Sequence, residues 1–142
     1  MSQRVSESAS QRVGGRTRHF RELLVWQRSM QLAKEVYRET AILPKSEVYG
    51  LQGQMRRAAV SVPSNIAEGH GRLSDHLFRV FLAQARGSLC ELETQIELCR
   101  DMNFFQDGSA QGLFERSGEV GRLLNGLIKA LKPKEERKSP TR

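Results

Sequence analysis

Glu68 and His70 lie two residues apart in the stretch AAVSVPSNIAEGHGR, residues 58–72, and a carboxylate beside an imidazole is the simplest acid–base pair a chain can carry. Both fall at a glycine-rich helix end where exposure is expected, so this spacing predicts no catalytic centre. His19, His70 and His76 include no pair four residues apart, the spacing that puts two metal ligands on one helical face, and neither cysteine has a matching ligand nearby. The GHGR segment follows a helix instead of a strand and lacks the Gly-Lys-Ser/Thr ending of a phosphate loop. A di-metal bundle would need Glu-x-x-His pairs on two helices, and the sequence has none. The expectation is a non-enzymatic protein with no catalytic residues, no metal and no cofactor. Cys90 and Cys99 are nine residues apart on one expected helix, which turns them to opposite sides and excludes a bridge between them. Both read as small buried hydrophobes.

The elements that would position these residues are helical throughout. From Phe20 to about Ile42, apolar residues recur at Leu23, Trp26, Met30, Ala33 and Tyr37, and Pro44 marks the stop. A second helix is expected from near Ser46, carrying Val48, Leu51, Met55, Ala58, Val62 and Ile66 to a left-handed stop at Gly69. Ser74 can cap a third, in which Phe78, Leu82, Ala85, Leu89, Leu92, Ile96 and Cys99 alternate steps of four and three. After NFFQDGS, Leu113, Val120, Leu124, Leu127 and Leu131 predict a fourth, closed by Pro133. No strand pattern competes, and the short connections favour an all-α, antiparallel up-down-up-down four-helix bundle.

The chain has 142 residues, 38% of them hydrophobic, enough for one modest core. Its net charge of +7 is unevenly spread. Residues 1–18 carry four Arg against one Glu, and residues 132–142 carry five Lys or Arg against two Glu, which leaves +1 for the bundle at 19–131. The two basic ends are predicted to be disordered tails able to cling to phosphates or simply to solubilise. No run approaches the roughly 18 apolar residues of a membrane helix, and the polar start lacks a secretory signal, so no membrane contact and a cytoplasmic location are expected.

Two surfaces of the expected helices stand out. On a wheel of 100° per residue, Gln54, Arg57, Ser61, Ser64, Asn65 and Glu68 form one polar stripe beside the core stripe of the second helix. They are either a wet flank around a loose helix end or a functional groove. Behind them Val60, Pro63 and Ala67 make an apolar patch, and Pro63 predicts a bend near Ala59. On the third helix, Val80, Ala83, Gly87, Thr94 and Leu98 run opposite the core stripe, with Cys90 at the edge. A helix with two apolar faces suggests partners on both sides, and a mid-helix glycine costs about 1 kcal/mol unless close packing repays it. Together with the Val60, Pro63 and Ala67 patch, these residues are expected at a subunit interface of a homo-oligomer. Crowded packing inside one chain is the alternative.

The segments FRELLVWQRSMQLAKEVY (20–37), YGLQGQMRRAAVSVPSNIAEGHGR (49–72) and FLAQARGSLCELETQIELC (81–99) resemble the four-helix-bundle proteins encoded by intervening sequences within bacterial 23S ribosomal RNA genes. The resemblance covers most of residues 20–105. It implies a homopentameric ring, no assigned molecular role, and a distant kinship with the accessory proteins of diversity-generating retroelements, which associate with reverse transcriptase and nucleic acid. Family motif positions matched here are Arg57, Ser61, Asn65, Glu68, Arg86 and Glu91, none with a catalytic role.

Two functions fit. In the first, the oligomer is a nucleic-acid-associated adaptor for RNA or DNA, with Arg56, Arg57, Arg72, Arg79 and Arg86 from several subunits neutralising phosphates. In the second it is a structural or protein-binding scaffold, and arginines such as Arg79 or Arg86 pair with Glu93 or Glu97 along one helix flank. No base-stacking motif is visible.

Overall fold

The computed structural model describes residues 19–137, and among them it is all-helical with no strand. Of the expected tails, 1–18 and the 138–142 part of 132–142 lie outside the described residues; within the described part of the second, Lys134–Arg137 form one helical turn instead of an unstructured end. Four helices make a bundle: α1 Leu24–Thr40, α2 Gly53–His70, α3 Asp75–Asp101 and α4 Asp107–Ala130. Each packs on two neighbours, α1 on α2 and α4, α3 on α2 and α4.

The third helix follows its sequence closely. Ser74 accepts a hydrogen bond from the Leu77 amide at 2.9 Å, capping the first turn, and Phe78, Leu82, Ala85, Leu89, Leu92, Ile96 and Cys99 are all buried. Asn103 takes the left-handed conformation (φ 61°) that ends the segment. The fourth helix starts at Asp107, six residues ahead of the first expected apolar position, with that aspartate favourably placed in the first turn.

Three expectations for the first half differ. In α1 the buried residues are Val25, Ser29, Leu32, Ala33, Val36 and Thr40; of the expected stripe Ala33 is buried, whereas Leu23, Trp26 and Met30 are only half-buried and Tyr37 is exposed. The helix carries two apolar stripes. The slim aliphatic one fits the core, and the aromatic one turns outward beside α2. The second helix begins at Gly53 instead of near Ser46. Residues Lys45–Glu47 form a 3-10 turn and Val48–Gln52 a wider, π-like turn kinked at Gly50 (φ −102°, ψ −113°), closed where the Glu47 carboxylate accepts from the Leu51 amide at 3.1 Å. Helix α2 then runs unbroken through Pro63 to His70, and Gly71, its C-cap, has φ −74°. Gly69 is therefore no left-handed stop. A β-carbon there would stand 2.6 Å from Cβ of Phe81, so its role is to let α2 and α3 meet closely.

One buried cluster fills the bundle, and a polar contact crosses each of its four seams. Arg56 reaches from α2 to Thr40 on α1, Ser61 on α2 meets Ser88 on α3 at 2.8 Å, Glu93 on α3 accepts from Ser117 on α4, and Arg28 on α1 meets Glu119 on α4 at 3.1 Å.

Candidate functional site

A groove of about 670 Å³ runs between α1 and α2. Its floor is the aromatic stripe of α1, Trp26, Met30, Ala33 and Tyr37, with Phe20 at one end, and its other wall is Val60, Pro63 and Ala67. The rear patch of α2 thus faces α1. Pro63 is buried, Ala67 half-buried and Val60 exposed, and Ser64 of the polar stripe sits on the rim. Two cations, Lys34 and Arg38, also line the groove.

Next to it, sharing Tyr37 and Val60, lies a recess of about 500 Å³ walled by Val48, Gln52, Gly53, Arg56, Arg57 and Ser61. Arg56 is fixed there by three contacts to the end of α1. Its Nε donates to Oγ1 of Thr40 at 3.0 Å, its Nη2 donates to the Tyr37 carbonyl at 3.0 Å, and its guanidinium lies 4.5 Å from the Tyr37 ring centroid. Arg57 is exposed and folds back over Gly53, its Nη1 3.2 Å from where a β-carbon would be.

The polar stripe divides into a wet and a half-buried part. Gln54, Arg57, Ser64 and Glu68 are exposed. Ser61 and Asn65 are half-buried: the Asn65 amide donates to the Ser61 carbonyl at 2.9 Å and to its hydroxyl at 3.0 Å, and that hydroxyl also meets Ser88. Glu68 pairs with Arg72 at 3.0 Å, while His70 stacks edge-on against Phe78.

Of the five candidate phosphate-binding arginines, Arg57 alone makes no hydrogen bond or ion pair with the described residues. Arg72 holds Glu68 and lies over the Phe81 ring, Arg79 approaches the His76 ring at 3.5 Å, and Arg86 donates to the Asn125 side chain at 2.7 Å. The expected pairing of Arg79 or Arg86 with Glu93 or Glu97 is not formed. Seven or more residues along a helix is about 10 Å or more of rise, beyond the reach of a close ion pair, and Glu97 takes Arg100 three residues on at 2.6 Å instead.

Among the described residues, nothing covers the second face of α3. Val80 is 37% and Leu98 45% exposed, Ala83, Gly87 and Thr94 are exposed between them, and a β-carbon at Gly87 would meet nothing within 4 Å. Cys90, expected to be buried, lies exposed on this face. Cys99 is buried with its thiol 3.5 Å from the Met55 sulfur, and burial pushes its pKa up to about 11, with the Glu47 carboxylate acting in the same direction.

Sequence periodicity missed Tyr49, which is 96% exposed on the π turn beside the recess. It belongs to no helical stripe, and only its position next to a glycine in a charged connection could have marked it. Among the described residues no group of three His, Cys, Asp or Glu side chains could hold a metal ion, and no helix is long and apolar enough to cross a membrane.

A crystal structure of a protein of unknown function from the S23 ribosomal protein family of Bacteroides thetaiotaomicron is similar, with a TM-score of 0.68 at 22% identity, covering 75% of this chain and 99% of that one. At that identity the likeness speaks to the fold. No curated protein matches. The 23S rRNA-intervening sequence protein family matches residues 21–126, through the turn, the groove, the recess and all but the end of the last helix. The chain belongs to that family.

Proposed function

We propose that this chain is a non-enzymatic, antiparallel four-helix bundle that assembles with copies of itself, as a homopentamer, into a cytoplasmic nucleic-acid-associated adaptor whose partner is RNA. The antiparallel order is supported by the paired positions: residue 55 meets 99, residue 61 meets 88 and Gly69 approaches Phe78 and Phe81, so one number rises as the other falls.

The observation that carries assembly is the uncovered face of α3. Val80, Ala83, Gly87, Thr94 and Leu98 offer a shallow apolar strip that nothing among the described residues covers, and an open Gly87 lets a second backbone come near. The groove wall of Val60, Pro63 and Ala67 is the complementary concave surface. A strip and a groove at different places on one molecule make a heterologous contact, which closes into a ring when the rotation permits.

The nucleic-acid role draws support from the family's description, the basic ends that carry most of the +7 charge, and the cations Lys34, Arg56 and Arg57 along α1 and α2, while Arg38 pairs with Glu35 at 2.7 Å. The reading as a protein-binding scaffold is favoured by one fact, that Arg56, Arg72, Arg79 and Arg86 are engaged within the chain. Light scattering after gel filtration tests assembly: the mass is expected to be a multiple of the 16.1 kDa chain, and Gly87→Leu to lower it. A wild-type monomer at micromolar concentration refutes the reading. Fluorescence anisotropy with RNA over a salt series separates adaptor from scaffold, since phosphate binding falls steeply with salt.

A further inference from the structure

The connection between α1 and α2 is built to present an aromatic ring. Tyr49 is 96% exposed, yet it sits on a closed turn, with the 3-10 and π turns back to back and the Glu47 carboxylate fastened to the Leu51 amide. Gly50 makes that closure possible, because a β-carbon there would stand 2.7 Å from the Glu47 carboxylate. Its neighbour Val48 walls the recess that holds Arg56 and Arg57.

The recess has the electrostatics of an anion site. No carboxylate among the described residues lines it, and Glu47 is turned to its own turn's amide. Arg56, fixed by Thr40 and Tyr37, contributes a stationary positive charge, while Arg57 is exposed and has no partner among the described residues. An exposed aromatic side chain one residue along the chain from the recess wall at Val48, with two guanidinium groups lining the recess itself, suits a nucleotide whose base is unstacked and whose phosphate is accessible. A duplex presents phosphates but no base face.

We infer that this recess holds single-stranded RNA, with a phosphate on Arg57 and an unpaired base stacked on Tyr49. The inference rests on the nucleic-acid reading above and gives it a place and a strand preference. Arg56 positions, by holding Tyr37 and the end of α1 behind the phosphate, and Arg57 makes the contact.

The test is anisotropy of a fluorescein-labelled 12-nucleotide single-stranded RNA and of the same sequence as a duplex, with the full-length chain. Tyr49→Ala is expected to weaken single-strand binding about tenfold and leave duplex binding unchanged, while Tyr49→Phe, which keeps the ring, stays near wild type. Arg57→Ala is expected to weaken binding and to lower the slope of log affinity against log salt by about 0.7, one phosphate contact to a single strand. Both side chains are exposed, and an unchanged circular dichroism melt will show the fold intact. Variants that bind the single strand as wild type does overturn this site and leave the adaptor reading standing. A wild-type protein that binds neither RNA at low salt overturns both.

Discussion

Replacing Gly69 by alanine adds one methyl group where α2 and α3 come closest, and the structure fixes the sign of the effect. The new β-carbon would lie 2.6 Å from Cβ of Phe81, 3.0 Å from Cδ1 of Phe78 and 3.3 Å from the Phe78 carbonyl oxygen. The first and last of these belong to or adjoin the backbone of α3, so a rotamer change cannot relieve them. Alanine gains up to about 1 kcal/mol of helix propensity over glycine, and overpacking of a tight core contact costs about 1–3 kcal/mol. A 2.6 Å contact that no rotamer can relieve places the cost in the upper part of that range, about 2–3 kcal/mol, so that less the propensity gain the net expectation is a loss of about 1–2 kcal/mol, or a melting temperature lower by about 2–8 °C for a chain of this size. Gly87→Ala is the matched comparison. With nothing within 4 Å of its β-carbon, only the propensity gain acts on the single chain. Urea unfolding of both variants at one low protein concentration measures the difference without a contribution from association. A Gly69→Ala protein as stable as wild type would refute the argument that this glycine is kept for close approach.

Arg56→Ala should destabilise the bundle by about 1–3 kcal/mol in the same urea assay, because it removes two hydrogen bonds to the last turn of α1, and Arg56→Lys should recover only part, since an ammonium cannot span both acceptors. At pH 8, and at a protein concentration low enough to keep the chains apart, iodoacetamide should modify Cys90 and spare Cys99, whose thiol is buried and pushed up to about 11; mass spectrometry would read one modified thiol in the folded chain and two in urea, and equal labelling would contradict the placement of both. Gly87→Leu should reduce the oligomer's mass in light scattering while the helical content by circular dichroism holds, and an unchanged mass would move the interface off this face of α3.

What could be read from the residues depended on whether the information was local. The stripe of α3 is unbroken and its cap is a serine immediately before the first turn, so both were legible. Helix α1 offers two apolar stripes, and choosing between Trp26, Met30, Tyr37 and Val25, Leu32, Val36 requires knowing which fits between three other helices. Gly69 has the sequence context of a helix stop, and only the approach of Phe81 reveals its other use. All six residues of the polar stripe lie on α2, but its division at Ser61 and Asn65 depends on Ser88, 27 residues away from Ser61. Tyr49 lies in a turn, where periodicity carries no information.

The polar contacts across the four seams give the bundle something its apolar core cannot. Leucine, valine and alanine stripes tolerate sliding by one helical turn, about 5.4 Å, because a neighbouring apolar group arrives in place of the last. Thr40 with Arg56, Ser61 with Ser88, Ser117 with Glu93 and Glu119 with Arg28 each have one matching position. A shift of any rod breaks a polar contact on both of its sides, and a shift of α3 against α4 leaves the buried Ser117 hydroxyl without Glu93. A randomised library of core side chains that preserved these eight residues should therefore return the same topology, and one that preserved the core but scrambled the eight should yield compact species with several competing alignments.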